Sequence, residues 1–386
     1  LGEFAGSIER LGMKFGLWFE PESVNVDSGL YRAHPDWAIK PPSGKPCFGR
    51  NQLLLDLTRQ EVRDYIVESV GRTLDSARIS YVKWDMNRHM SDAYSPLLSN
   101  QGEFSHRYIM GLYEVLGRIF TPRPHILLES CSSGGNRFDL GMLCYSPQIW
   151  ASDDTDPIER LDIQGGLSYL YPQSTMGAHV SAAPHQQTLR DTPLSTRFNV
   201  AAFGVLGYEL ELKYMTKAEL KELRGQIAFY KAHRRTLQYG RFYRFDELRD
   251  NKLHWQVSSK DGKEHIVSHF QKLCTASEGY DMLSVHDLEP NARYHLVCKR
   301  QSLFIKRLGG LVRHVMPLEL DPDGLVLRTA NKLFTMPDGA EDFFASGAAL
   351  MSGVGLNNQF LGTGYNERLH MLGDFGSALY TIKKEK

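Results

Sequence analysis

The sequence predicts an α/β half, a parallel sheet or barrel, over residues 1–240 and an all-β sandwich over residues 241–386. Three observations predict this. Short apolar runs alternate with longer amphipathic stretches through the first 240 residues, the pattern of βαβ units. After about Phe242 the apolar period drops to two. The 386 residues leave room for a barrel of about 250 residues and a second module beside it.

In chain order the candidate strands are 15–19, 53–57, 79–84, 125–128, 148–151 and 178–182. Val62, Tyr65, Ile66, Val70 and Leu74 recur at helical spacing between the second and third, and Phe104, Tyr108, Ile109, Leu112, Leu116 and Ile119 between the third and fourth. Residues 216–237 read as a last charged amphipathic helix. Beyond it, Leu253, Trp255 and Val257 alternate with His254 and Gln256, and Ile266, Ser268 and Phe270 alternate back after a Lys260-Asp261-Gly262-Lys263 turn. This is a hairpin pattern. Turns at Glu289-Pro290-Asn291, Gly309-Gly310 and Asp321-Pro322-Asp323-Gly324 separate further short strands.

A hydrophobic fraction of 42% with 23% charged residues excludes disorder, collagen and coiled coil. Lys and Arg total 45 against 45 Asp and Glu, so neither nucleic acid nor an anionic membrane is expected as partner, and a neutral substrate fits better. Cys47, Cys131, Cys144, Cys274 and Cys298 are scattered and odd in number, without CxxC spacing, so neither a disulfide framework nor a zinc site is expected and the setting reads as reducing and cytoplasmic. No apolar run approaches 18 residues, so no transmembrane helix is expected. The chain opens on Leu1 rather than Met, so a natural N-terminus is expected to lie upstream.

Acidic residues recur where strand runs end: Glu20, Asp85, Glu129 and Asp153. Active sites of barrels and open α/β sheets form at the carboxyl ends of the strands. In Lys83-Trp84-Asp85 the strand alternation puts the ammonium and the carboxylate on one face. The cation there keeps Asp85 ionised, as a glycosidic nucleophile requires. An isolated KxD equally fits a structural salt bridge. In Ser152-Asp153-Asp154-Thr155-Asp156-Pro157, Asp153 comes first after its strand and is best placed to face a site, while Asp154 and Asp156 also suit a helix N-cap. Two carboxylates at different strand ends suit a retaining mechanism when about 5 Å apart.

The loop Glu129-Ser130-Cys131-Ser132-Ser133-Gly134-Gly135 is either a plain tight turn or a place where a ligand meets backbone closely. Cys131 reads as a pocket wall, since no His partner is identifiable for a thiol nucleophile. Trp18 in GLWFEPE offers a ring for stacking on a sugar, or for core packing. Gly353-Val354-Gly355 and Gly362-Thr363-Gly364 lack nucleotide-loop spacing and read as turns, and the histidines show no HExxH.

Together GLWFEPE at 16–22, LYRAHPDW at 30–37, GRNQLLLDLT at 49–58, KWDMNR at 83–88, ESCSSGG at 129–135, SDDTD at 152–156 and GTGYNERLHMLGDFGS at 362–377 resemble the bacterial α-galactosidases of glycoside hydrolase family 36. The resemblance implies a (β/α)8 barrel, incomplete at its N-terminal side, followed by the all-β C-terminal sandwich. It implies Asp85 as nucleophile and Asp153 as acid/base, with Trp18, Arg50, Lys83, Cys131 and Gly134 contacting the galactose. Cys131 and Gly134 match the loop that lies against the sugar 2-hydroxyl, which points to galactose over N-acetylgalactosamine. The implied activity is retaining hydrolysis of terminal α-D-galactose from melibiose, raffinose and related oligosaccharides, without metal or organic cofactor. A homotetramer of the full-length protein is also implied, as are a β-sandwich domain and two barrel strands ahead of Leu1.

This sequence departs from the family at Asp154, where asparagine is commoner, at Gly165, where tyrosine is, and at His185-Gln186, where asparagine-histidine is. Those changes bear on aglycone preference and rate. A galactosyltransferase of the raffinose-synthase type would use the same carboxylates with a sugar acceptor in place of water. A non-catalytic carbohydrate-binding fragment is the alternative from a different class.

Overall fold

A computed structural model of the chain describes residues 1–385 apart from 247–250, 276–279, 306–308, 310, 316–318, 322–323, 334 and 361–365. The expected turn residues Gly310, Pro322, Asp323, Gly362, Thr363 and Gly364 thus lie outside the described residues. The chain divides into two compact units, Leu1–Asp153 and Asp154–Lys386.

The first unit is built on four parallel strands that pair in sequence order: β1 (Gly16–Phe19), β2 (Tyr81–Trp84), β3 (Leu127–Ser130) and β4 (Gln148–Trp150). Parallel neighbours need a crossover, and helices α1 (Gln60–Asp75) and α2 (Phe104–Phe120) supply it between β1 and β2 onward to β3. Their predicted faces are the buried ones: Val62, Ile66, Val70 and Leu74 on α1, and Tyr108, Leu112, Leu116 and Ile119 on α2. They share one core with Val82, Trp84 and Leu128 of the strands. Gly111 lets α2 come down on the 53–57 segment, because a Cβ there would stand 2.2 Å from the Leu57 carbonyl oxygen.

The 53–57 run is not a strand of that sheet. Gln52–Leu54 pairs antiparallel with Ser23–Asn25, and the Arg50-Asn51 turn just before it bridges Gly49 to Gln52. Leu53, Leu54, Leu55 and Leu57 are buried as the run implied. A continuous apolar run reports burial but not which strand it pairs with. The third parallel strand also begins two residues later than expected, so Glu129 lies inside β3 rather than after it.

The second unit opens with α3 (Pro157–Leu167) and continues through β5 (Met176–Ser181), α4 (Leu194–Ala201), β6 (Val205–Glu209) and α5 (Lys217–Tyr239). β5 and β6 pair in parallel. The sequence reading missed β6, whose Val205, Leu206 and Tyr208 are partly buried and follow α4 across only Ala202-Phe203-Gly204. The start of α5 was legible: Thr216 accepts from the Glu219 amide while the Glu219 carboxylate accepts from the Thr216 amide, a capping box.

Next come β7 (Arg241–Asp246), β8 (Lys252–Ser258), β9 (Glu264–Gln271), β10 (Arg293–Cys298), β11 (Asp342–Ser346) and β12 (Gly376–Lys384). They form one antiparallel sheet in the order β11-β10-β12-β9-β8-β7, beside two-stranded ribbons. The β8–β9 hairpin has the expected register, Leu253 opposite Phe270, Trp255 opposite Ser268 and Val257 opposite Ile266. Both faces are covered, which the strict alternation did not announce. Ile266, Phe270 and Leu379 pack with Phe198 and Tyr230 of the helices, while Val267, Ala378 and Tyr380 face a second cluster with Leu283, Val285 and Leu296. Helices Leu325–Leu333 and Gly347–Ser352 interrupt the β-rich half.

A buried charge cluster anchors this half. The His370 ring, 2% exposed, lies 2.9 Å from Glu341 through Nε2 and 3.4 Å from Asp338 through Nδ1. Burial works against the imidazolium, but the two carboxylates prevail and raise its pKa to about 10. A His with a raised folded-state pKa contributes stability that is complete below its unfolded value of about 6.5 and is lost as pH rises toward 10. We therefore expect denaturant unfolding to show stability falling between pH 7 and 10. His370→Gln should flatten that slope and cost about 3–5 kcal/mol at neutral pH by stranding buried carboxylates; an unchanged slope in the variant would refute the assignment.

Candidate active site

The carboxyl ends of β1 to β4 place the predicted residues. The backbone ladder runs one step past the strands, with the Asp85 amide donating to the Phe19 carbonyl at 2.8 Å and the Cys131 amide to the Trp84 carbonyl at 2.7 Å. Asp85 and Cys131 are therefore fixed as neighbours by main-chain bonds. Asp85 is 5% exposed. Its Oδ2 accepts from the Trp18 indole at 3.1 Å and its Oδ1 from the Met86 amide at 2.8 Å, with Cys131 and Asn87 as further donors.

Burial alone would raise the Asp85 pKa, but the Cys131, Trp18, Asn87 and Met86 donors outweigh it and hold the carboxyl below the usual range. The expected cause was Lys83. The structure instead sets Lys83 Nζ 3.3 Å from Glu129 Oε1 and 4.5 Å from the centroid of the Trp150 ring. Glu129 also accepts from Gln148 at 2.8 Å and from the Tyr81 hydroxyl. The strand alternation was sound, but the lateral neighbour on β3, in register with Lys83, takes the ammonium. Cys131, 1% exposed, has its thiol pushed up to about 12 by burial and by Asp85, so it stays protonated and donates.

The loop after β3 also reaches the second carboxylate. Ser133 and Gly134 turn with φ of 50° and 87°. A Cβ on Gly134 would stand 2.9 Å from Ser152 Cα and 3.1 Å from the Asp153 amide nitrogen. The glycine thus makes room for the backbone that carries Asp153. One four-residue loop, Cys131–Gly134, touches Asp85 through Cys131 and the Asp153 segment through Gly134. Asp153 is exposed, and its Oδ1 accepts from the Trp150 indole at 3.0 Å. Within the second unit, Asp156 caps α3 by accepting from the Ile158 amide at 2.8 Å, and Asp154 accepts from the Asp156 amide at 2.9 Å. These two acidic residues do the local capping work that leaves Asp153 distinct.

Trp18 is 53% exposed, so its ring is a surface rather than core. Arg50 is exposed and sits with Asn51 in a turn where both φ values are positive, 53° and 59°. Holding two non-glycine residues there costs of order 1–3 kcal/mol each, and such strain clusters at ligand sites.

Sequence reasoning missed Glu22, Trp84, Tyr108 and Arg137. Glu22 is fully buried and accepts from the Trp84 indole at 2.8 Å, the Tyr108 hydroxyl at 2.8 Å and Arg137 Nη1 at 3.0 and 3.1 Å. Arg137 Nε in turn donates to the Ser132 hydroxyl, beside Cys131. The one signal was the second glutamate of GLWFEPE, since a glutamate three residues past a strand gives no sign of what it meets. Among the described residues no group of three or more His, Cys, Asp and Glu is arranged to hold a metal ion.

The Melibiase family model matches residues 1–240, and the model of the glycosyl hydrolase family 36 C-terminal domain matches residues 252–382. The chain belongs to the melibiase family. It is 47% identical over 299 residues to α-galactosidase AgaA of Geobacillus stearothermophilus, covering 77% of this chain and 41% of that protein. It is 45% identical over 302 residues to α-galactosidase Mel36A of Lactobacillus acidophilus, covering 76% and 40%. The chain thus spans about two fifths of the length of the curated relatives it matches. The crystal structure of the α-galactosidase from Lactobacillus brevis superposes with a TM-score of 0.82 at 39% identity, covering 100% of this chain and 46% of that one. A variant of AgaA in complex with raffinose gives 0.82 at 38%, with the same coverage. The fold class expected from the sequence, an α/β barrel portion followed by an antiparallel β domain, is the one found.

Two outcomes follow from the melibiase site geometry. Mass mapping after iodoacetamide treatment at pH 8 should find Cys47, Cys144 and Cys274 alkylated and Cys131 spared, since only a thiolate with access reacts; early labelling of Cys131 would refute the geometry. Gly134→Ala should lower stability by about 1–3 kcal/mol in denaturant unfolding, from the positive φ and the overlap with Ser152.

Proposed function

We propose that this chain is the catalytic portion of a retaining α-galactosidase that removes terminal α-D-galactose from oligosaccharides such as melibiose and raffinose. The observation that carries the reading is the Cys131–Gly134 loop, which contacts a desolvated, ionised Asp85 at one end and the Asp153 backbone at the other. The crystallised relatives in complex with raffinose and with stachyose support the substrate class.

The mechanism is double displacement. Asp85 attacks the anomeric carbon as the C1–O bond breaks, and Asp153 gives its proton to the departing oxygen. Asp153 then takes a proton from water, whose oxygen attacks C1 and releases Asp85 with the α configuration retained. Asp85 suits the nucleophile because its donors keep it charged while burial strips it of water. Asp153 suits the acid/base because it is open to the leaving group and to water. Trp18 offers its exposed face to the sugar, Arg50 and Lys83 offer donors to its hydroxyls, and Cys131 with Gly134 closes the space at the 2-hydroxyl. The chemistry draws on no metal or organic cofactor.

The domain division in this reading is 1–240 for the catalytic barrel portion and 241–386 for the C-terminal β domain, supported by the extents of the two family models. A cytoplasmic setting is supported by five free thiols, and a homotetramer of the full-length protein by the resemblance alone. Among the described residues no helix is long and apolar enough to cross a membrane.

In the full-length polypeptide, Asp85→Ala should lower kcat on a nitrophenyl α-galactoside on the order of 10³-fold or more, and nuclear magnetic resonance should detect α-galactose as the first product. Absence of α-galactoside hydrolysis by the unaltered protein, or β-galactose formed first, would overturn the reading. Galactosyl transfer dominating over hydrolysis when a sugar acceptor is supplied would reassign it to a transferase.

A further inference from the structure

We propose that Trp150 is a positioning residue for the Asp153 acid, selecting which carboxyl oxygen carries the proton and stabilising the carboxylate left when that proton departs. The inference rests on Asp153 being the acid/base. Trp150 is the last residue of β4 and is buried, so its ring is held by the scaffold rather than by the loop it serves. Its Nε1 donates to Asp153 Oδ1 at 3.0 Å. An indole nitrogen is a donor only, so Oδ1 is engaged as an acceptor and the acidic proton belongs on Oδ2. Without that contact the carboxyl group would present either oxygen.

The ring has a second contact. Lys83 Nζ stands 4.5 Å from its centroid, and Lys83 is held from its other side by Glu129. A cation over the face draws density out of the indole and makes its N–H a stronger donor. As the proton moves from Oδ2 to the glycosidic oxygen and the C1–O bond breaks, negative charge grows on Asp153. The bond from Trp150 becomes charge-assisted at that moment. It is therefore stronger in the transition state than before it, which is the condition for accelerating a step. In the second half-reaction the same bond keeps Oδ2 as the oxygen that accepts the proton from water.

The test is leaving-group dependence in the full-length polypeptide. Raffinose needs its departing oxygen protonated, whereas a dinitrophenyl α-galactoside does not. Trp150→Phe keeps a ring beneath Lys83 and removes the donor. It should lower kcat/KM, which reports the first half-reaction, on raffinose by about 10- to 100-fold, the size of a hydrogen bond to a charged group, and on the dinitrophenyl substrate by no more than about threefold. Trp150→His keeps an N–H at the corresponding position of a five-membered ring and should recover part of the loss on raffinose; it also serves as the folded comparison where Trp150→Phe fails to fold. Equal losses on both substrates, or no loss on raffinose, would overturn the inference. Asp153→Asn separates the two readings. A variant that loses kcat/KM equally on both substrates removes the acid assignment itself, while one that spares kcat/KM only on the dinitrophenyl substrate, beside an unsplit Trp150→Phe, removes the role of Trp150 alone.

Discussion

The first unit depends on the buried Glu22 carboxylate. It receives an indole from β2, a phenol from α2 and a guanidinium from the loop after β3, while its own segment continues β1. A carboxylate removed from water costs several kcal/mol unless its lone pairs are filled, and four donor contacts fill them here. The three donor residues come from three different elements, so correct placement of all three is a condition for burying the charge at all. Apolar packing among Val82, Trp84, Tyr108 and Leu116 tolerates small slips, whereas this bond set does not. The consequence passes through Arg137 to Ser132 and so to the Cys131 loop.

That chain of contacts explains how two aspartates at strand ends acquire different environments. Asp85 follows β2 directly and is caught by the ladder, so it sits low, among donors. Asp153 lies three residues past β4 and stands clear of the ladder, held by one indole. The difference is one of loop length. The Cys131–Gly134 loop then spans the two, and its backbone can lie that close to residues 152–153 only because position 134 has no side chain.

Much of this was legible. Helical faces on α1 and α2, the helix starting at Thr216 and the β8–β9 hairpin were readable because each depends on local spacing, which a sequence records directly. Residues 53–57 and 205–209 show the limit. The first is apolar enough for a central strand but pairs with residues 23–25, and the second is a parallel strand whose apolar residues continue those of the helix before it. Burial is written in composition, while pairing depends on what else competes for the same backbone groups. At the site, Trp18 and Cys131 both donate to Asp85, and Gly134 lies against the backbone of residues 152–153. Glu22 with Arg137 did not show, because the two are 115 positions apart in sequence and nothing local binds them.

Lys83 shows why alternation predicts a face but not a partner. Two residues before Asp85 on the same strand, it was placed to hold that carboxylate charged. Yet a strand in a parallel sheet has neighbours at about 4.8 Å on either side, nearer than the roughly 6.6 Å between its own residues i and i+2. Glu129 occupies the register position beside Lys83 on β3 and takes the cation. Asp85 is left to neutral donors, a thiol, an indole, an amide and a backbone N–H. For the nucleophile we propose Asp85 to be, this is the better arrangement. A cation bonded directly to it would stabilise the charge and also oppose its transfer to the sugar, whereas neutral donors hold the charge in place with a weaker grip. Lys83 acts one residue further away, on Glu129 and on the Trp150 ring, whose indole donates to Asp153.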